Sequence, residues 1–136
     1  MNATPRTVVP GLFAEGASAV LSATLLDVDG VTPVAGADSV FDTLTMTLYE
    51  LRSGTAVNAT ATLRNILNAN GGTVGADGSL SIVLAPSDMV CLSAGSSEAH
   101  LALIEGTWGN PSKAIKHEIV FTVANLLKAP TPDPAP

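Results

Sequence analysis

The amino-acid sequence predicts an all-β protein, an antiparallel β-sandwich of about seven short strands. Three observations carry that expectation. Apolar and polar residues alternate with period two, most clearly from Val40 to Leu51. There Leu44, Met46 and Leu48 oppose Thr43, Thr45, Thr47 and Tyr49. Turn signals recur about every ten residues, with Asp29-Gly30, Ser53-Gly54 and Asp77-Gly78 joined by 33–38, Gly71-Gly72, Pro86-Ser87-Asp88 and 109–112. Between them, β-branched and apolar residues dominate.

The elements follow in order. Residues 1–16 contain Pro5, Pro10, Gly11 and Gly16 with little periodicity, and read as an extended N-terminal arm. Thr7-Val8-Val9 is a short edge strand within it. Ser18 to Val28 is a strand that ends at Asp29-Gly30. Pro33 to Asp38 is a loop, Val40 to Leu51 a half-buried strand, and 52–55 a turn. Ala56 to Leu63 reads as another strand, and Asn65 to Asn68 as one helical turn or a bulge. Thr73-Val74 pairs through Ala76-Asp77-Gly78 with Leu80, Ile82 and Leu84 as a hairpin. Pro86-Ser87-Asp88 starts a tight or 3₁₀ turn. Glu98 to Trp108 and Lys116 to Val123 are the last two strands. Lys128 to Pro136 is a polyproline-like C-terminal arm.

One domain over 17–127, flanked by arms at 1–16 and 128–136, fits a chain of 136 residues. The strand spacing makes the sandwich immunoglobulin-like, with a small barrel as the alternative. The single cysteine excludes an intrachain disulfide framework, so the domain is not of antibody type. The expected core contains Leu44, Met46, Leu48, Leu80, Ile82, Leu84, Leu101, Leu103, Ile119 and Phe121.

Composition restricts function. Charged residues are only 13% of the chain, about half the usual share of about 25%. The surface is therefore rich in Thr, Ser, Asn, Gly and Ala, which cost little to desolvate in a contact. The net charge is −6, and the six basic residues Arg6, Arg52, Arg64, Lys113, Lys116 and Lys128 are scattered. Direct nucleic-acid binding needs clustered Lys and Arg and is not expected. The apolar runs are short and interrupted, so no segment is expected to span a bilayer, and no signal peptide is visible.

No constellation of residues makes a convincing active site. Asp27-Val28-Asp29-Gly30 opens like a calcium loop, but Val31-Thr32-Pro33 follows and no acid comes until Asp38. A Gly-containing hairpin turn is the expected reading. His100 and His117, with Glu105 or Glu118, would make a metal or acid–base group only if the strands brought them together. Cys91 reads as a small buried apolar residue. There is no Gly-x-Ser-x-Gly, and Gly71-Gly72 lacks the Lys-Ser/Thr of a phosphate loop. Asn2-Ala3-Thr4 and Asn58-Ala59-Thr60 match the glycosylation triplet by coincidence. Trp108 is expected to fill the core rather than an interface. The expectation is thus no enzyme, with no catalytic, cofactor-binding or metal-binding residues.

Several stretches also form a familiar series: Met46 to Leu51, Gly54-Thr55, Asn65 to Asn68, Ala76 to Asp88, His100 to Trp108 and Lys116 to Val123. Their order resembles small immunoglobulin-like virion structural proteins of tailed bacteriophages, over some 80 residues. These motifs mark strands and turns and transfer no functional residues. The resemblance implies a structural part of the virion, made in the host bacterial cytoplasm. Its expected place is capsid decoration or cement on the head. The alternative is a neck, collar or tail accessory protein. More remote is a ligand- or carbohydrate-binding module, for which Trp108 and Tyr49 are the only Trp and Tyr. Its partners would be the major capsid protein or neck and tail proteins, together with self-association.

Overall fold

The computed structural model describes residues 4–92, 95–109 and 113–125. The chain forms two β-sheets with very little helix. In order the strands are β1 (Arg6–Ala14), β2 (Ala19–Thr24), β3 (Thr43–Glu50), β4 (Arg64–Asn65), β5 (Gly72–Val74), β6 (Ser79–Leu84), β7 (Ser97–Trp108) and β8 (Lys113–Ala124). One helical turn, α1 (Ala37–Val40), and two 3₁₀ turns, Ala59–Ala61 and Pro86–Asp88, connect them. The five-stranded sheet has the order β1-β8-β7-β3-β4 and the three-stranded sheet β2-β6-β5.

Strand alternation builds the core. β7 and β8 pair over their whole length, from Ser97↔Ala124 to Trp108↔Lys113. On β7 the buried residues are Glu98, His100, Ala102, Ile104, Gly106 and Trp108, and on β8 they include Ile115, His117, Ile119, Phe121 and Val123. β3 adds Leu44, Met46 and Leu48. The three-stranded sheet contributes Leu21, Val74, Leu80, Ile82 and Leu84 to the same buried cluster. Burying each such large side chain is worth about 1.5–3 kcal/mol.

Eight of the ten expected core residues are in the core, while Leu101 and Leu103 are not. They are only partly buried, because the phase of β7 turns His100, Ala102 and Ile104 inward and sends their odd-numbered neighbours to the outer face. The reason is tertiary: Gly106 and Trp108 face Phe41, and that parity runs through the whole strand.

Other differences have physical causes. Residues 56–63 form no strand. Ala56 makes an isolated bridge to Tyr49, and Asn58 caps the 3₁₀ turn Ala59–Ala61 by accepting from the Thr60 N–H. The short strand β4 follows, at 64–65, where a helical turn or bulge was expected from 65 onward. The 33–38 loop ends in α1.

The sheet is also not wholly antiparallel, because β1 pairs parallel to β8, from Arg6↔Glu118 to Ala14↔Ala124. Residues 6–14, expected as an arm with a short edge strand, are thus a full edge strand of this chain's own sheet. The register shifts between Val8 and Leu12, where Pro10 and Gly11 make a bulge and Gly11 takes a φ of +84°. The expected C-terminal arm, 128–136, lies outside the described residues.

Phe41 stacks edge-on against Trp108, with ring centroids 5.1 Å apart, so Trp108 does fill the core. Gly106 makes room for this pair. A Cβ there would lie 2.6 Å from Phe41 Cε1 and 3.1 Å from Leu44 Cδ1. Gly106→Ala is therefore expected to cost about 1–3 kcal/mol through overpacking. Thermal unfolding should show a lowered midpoint, and the near-ultraviolet signal of Trp108 should change. An unaltered midpoint would refute the close packing.

Candidate interaction surface

The residues singled out in the sequence do not converge. His100 pairs with Phe121 and His117 with Ile104, so the two imidazoles sit four residues apart along the hairpin. That is roughly 13 Å at the rise of a strand. Both point inward, whereas Glu105 and Glu118 lie on the opposite face of the sheet. Glu105 lies 3.7 Å from Lys116 Nζ, and Glu118 accepts from Arg6 Nε at 3.0 Å. His100 Nε2 contacts Glu98 Oε1 at 2.6 Å, and His117 Nε2 contacts Thr7 Oγ1 at 2.8 Å. Burial lowers the His117 pKa below the usual imidazole value, with the Glu118 charge opposing it.

Asp29 serves a turn. Its Oδ1 accepts from the Val31 and Thr32 N–H groups, and its Oδ2 from the Thr32 hydroxyl. These bonds, the Thr32 hydroxyl first, lower its pKa. Among the described residues, no group of three or more His, Cys, Asp or Glu side chains is placed to hold a metal ion. Cys91 is fully buried, and its Sγ lies 3.8 Å from the Val123 carbonyl oxygen.

Two polar arrangements had no signal in the sequence because their members are far apart in the chain. In the first, Glu15 accepts from the Cys91 N–H and Glu98 from the Leu92 N–H. These bonds hold the backbone at Cys91 and Leu92. In the second, Arg64 donates to both oxygens of the buried Asp88 at 2.8 and 2.7 Å. Asn58 Nδ2 and the Ala85 N–H donate to the same carboxylate. This ties the β4 edge of one sheet to the 3₁₀ turn after β6 of the other. Burial would raise the Asp88 pKa, but the Arg64 guanidinium, the Ala85 N–H and Asn58 together outweigh it and hold the carboxyl below its usual range. An open groove of about 730 Å³ beside the pair is lined by Thr60, Asn70, Val83 and Pro86 among others. Arg64 also donates to the Thr60 carbonyl and hydroxyl, so the pair's groups are engaged with each other and with Asn58, Thr60 and Ala85.

The outer face of the five-stranded sheet is different. Register places its residues in rows across the strands. One row is Tyr49, Leu101, Val120 and Val8. The next is Thr47, Leu103, Glu118 and Arg6, and a third runs Ala99, Thr122 and Leu12. Val8 and Leu12 are each 67% exposed, and Leu63, whose N–H donates to Thr47 Oγ1, is 63% exposed. The only charges in these rows, Arg6 and Glu118, pair with each other. Toward the other end of the same face stand Thr45, Glu105 and Lys116, then Thr43, Thr107 and Ala114, so the apolar residues are gathered at one end. Tyr49 belongs to this surface, not to the core. A grouped apolar patch on an otherwise polar sheet face is the usual mark of a protein contact. The sequence hid it because Val8 and Leu12 fall in the irregular N-terminal stretch, and Leu101 and Leu103 look like core residues.

No family model matches the chain, and no curated protein matches it. Among solved structures, a chimeric titin Z1Z2 functionalised with an exogenous KLER peptide from decorin aligns with 90% of this chain at 12% identity and a TM-score of 0.33. The chain covers 46% of that structure's length.

The Arg64–Asp88 pair gives a direct test. Arg64→Met leaves a buried carboxylate uncompensated and should cost about 3–5 kcal/mol in denaturant unfolding. The pH dependence has a defined sign. Because the folded pKa of Asp88 is depressed, its contribution is full above the unfolded value of 3.8 and is lost as pH falls through the folded value. The wild type should therefore lose stability below about pH 4 more steeply than Asp88→Asn. Parallel acid profiles would contradict the pairing.

Proposed function

We propose that this chain is a non-enzymatic structural protein that works by binding other protein surfaces, and that its setting is the virion of a tailed bacteriophage. The observation that carries the binding role is the apolar end of the outer sheet face, on a chain with few charges to desolvate. The virion setting rests on the sequence resemblance. Within it, decoration or cementing of the capsid is the leading role, with the major capsid protein as partner. A neck, collar or tail accessory role is the runner-up. Several weak contacts per subunit would suffice for decoration, because binding through linked sites raises effective affinity by about 10²–10⁴.

The same reading makes the two sheets the layers of an immunoglobulin-like β-sandwich. The strand order supports it. Naming β2 to β8 in sequence as B, C, C′, D, E, F and G places E between B and D in one sheet and gives the order G, F, C, C′ in the other. Trp108 departs from the antibody pattern, since it closes β7 rather than lying on β3.

Purified particles of the phage that encodes the chain supply the test. Val8→Glu and Leu12→Glu alter exposed side chains, so folding should change by no more than about 0.5 kcal/mol. Their incorporation into particles should fall at least about tenfold, an effect of 1.4 kcal/mol or more. Val31→Glu, on an exposed hairpin at 76% exposure, should incorporate normally. Equal incorporation of all three would remove this face from the interface, and absence of the protein from particles would end the virion reading. Copy number on the scale of the major capsid protein means decoration. A few copies that separate with portal or tail mean the neck or tail role.

A further inference from the structure

An edge strand offers unpaired backbone N–H and C=O groups to any passing strand, and proteins usually block such edges. Among the described residues the two sheets have four edges, and three of them are blocked. β1 carries Pro10 and a bulge. β4 has two residues. β5 has three, and its Val74 N–H is already taken by Asn68 Oδ1. Among the described residues β2 has no such device. It runs Ala19-Val20-Leu21-Ser22-Ala23-Thr24, without proline, charge or bulge, in unbroken register with β6.

The phase of its hydrogen bonds follows from its neighbours. The Leu25 N–H donates to the Gly78 carbonyl, and the Val83 N–H turns the other way to Gly71. Ala19, Leu21 and Ala23 therefore face β6 along the ladder. Val20, Ser22 and Thr24 direct their N–H and C=O groups out from the free edge.

We infer that β2 pairs with β2 of a second copy, antiparallel and two-fold symmetric about Ser22, joining the two three-stranded sheets into one. Three features of this strand fit that occupant. The outward-facing backbone groups are self-complementary: Ser22 meets Ser22 of the other copy, and Val20 meets its Thr24, for about six backbone hydrogen bonds. The joined rows are free of charge, since Val20, Ser22 and Thr24 are flanked on β6 by Val83, Ser81 and Ser79. A chain of net charge −6 can meet itself there without opposing carboxylates. Finally, Val20 and Val83, which pair across β2 and β6, are 54% and 49% exposed, and a continued sheet would bring the partner's Thr24 beside Val20. This pairing uses a different edge and a different sheet from the face assigned to virion partners, and it does not rest on that assignment.

The full chain, purified alone, tests it by sedimentation across a concentration series. The wild type should pass from monomer to dimer. Ser22→Lys and Ser22→Glu each place like charges opposite one another at the symmetry axis, and each should weaken the dimer at least about tenfold. An equimolar mixture of the two should restore it as a heterodimer. Amide hydrogen exchange on the wild type supplies a readout that needs no variant. Exchange at Val20, Ser22 and Thr24 should slow as concentration rises. A wild type that stays monomeric to about millimolar concentration, where even weak pairs of Kd near 1 mM would show, overturns the inference. So does a dimer whose Val20, Ser22 and Thr24 amides exchange as fast as in the dilute protein, or one that both charged variants form unchanged.

Discussion

The β7–β8 hairpin is the constraint on which the remaining structure depends. Its ladder is continuous from Ser97↔Ala124 to Trp108↔Lys113 and lies in the middle of the five-stranded sheet, between β1 and β3. A slip of one residue would turn one of the two strands over. Were it β7, Leu101, Leu103 and Glu105 would be buried and His100, Ala102 and Ile104 expelled. The register is held at one end by Trp108 and Gly106 against Phe41, and at the other by Glu98, which accepts from the Leu92 N–H and contacts His100. β3 then aligns on β7 and β1 on β8, so the composition of both sheet faces follows from this one pairing.

The second sheet is fastened to the first by more than apolar contact. Arg64 on β4 reaches Asp88 in the turn after β6, and Asn58 completes the same carboxylate. Such a pair adds little net stability over well-packed apolar residues, but losing one partner is costly. It therefore fixes how the edges meet rather than how strongly the layers adhere.

Much of this architecture was legible in the sequence. Strands with strict alternation, such as β3 with Leu44, Met46 and Leu48, and the β5–β6 hairpin at Asp77-Gly78, stand where local pattern places them. Pattern failed where tertiary context decides. Leu101 and Leu103 are as apolar as Ala102 and Ile104, so alternation alone cannot say which set faces inward. The 56–63 stretch has strand-like composition, yet Asn58 is claimed by Asp88, thirty residues further on. The parallel pairing of β1 with β8 is a long-range event without local signature. The surface was less legible than the core for the same reason. Its apolar end is assembled from β1, β3, β7 and β8, and each contributes residues that look ordinary in isolation.

What the fold presents outward is a sheet with two unlike ends, one apolar and uncharged in sum, the other bearing Thr45, Glu105 and Lys116. The buried carboxylates of Glu15, Asp88 and Glu98 and the Nε2 atoms of both buried imidazoles make internal contacts, and the apolar end of this face is the surface proposed above for protein partners. Hydroxyl-radical footprinting of the free protein and of purified particles of the proposed virion tests that assignment most directly. Tyr49, Leu12 and Leu63 should oxidise in the free chain and be protected in the particle, while Val31 oxidises in both. Equal oxidation of Tyr49, Leu12 and Leu63 in the two states would contradict an interface on this face.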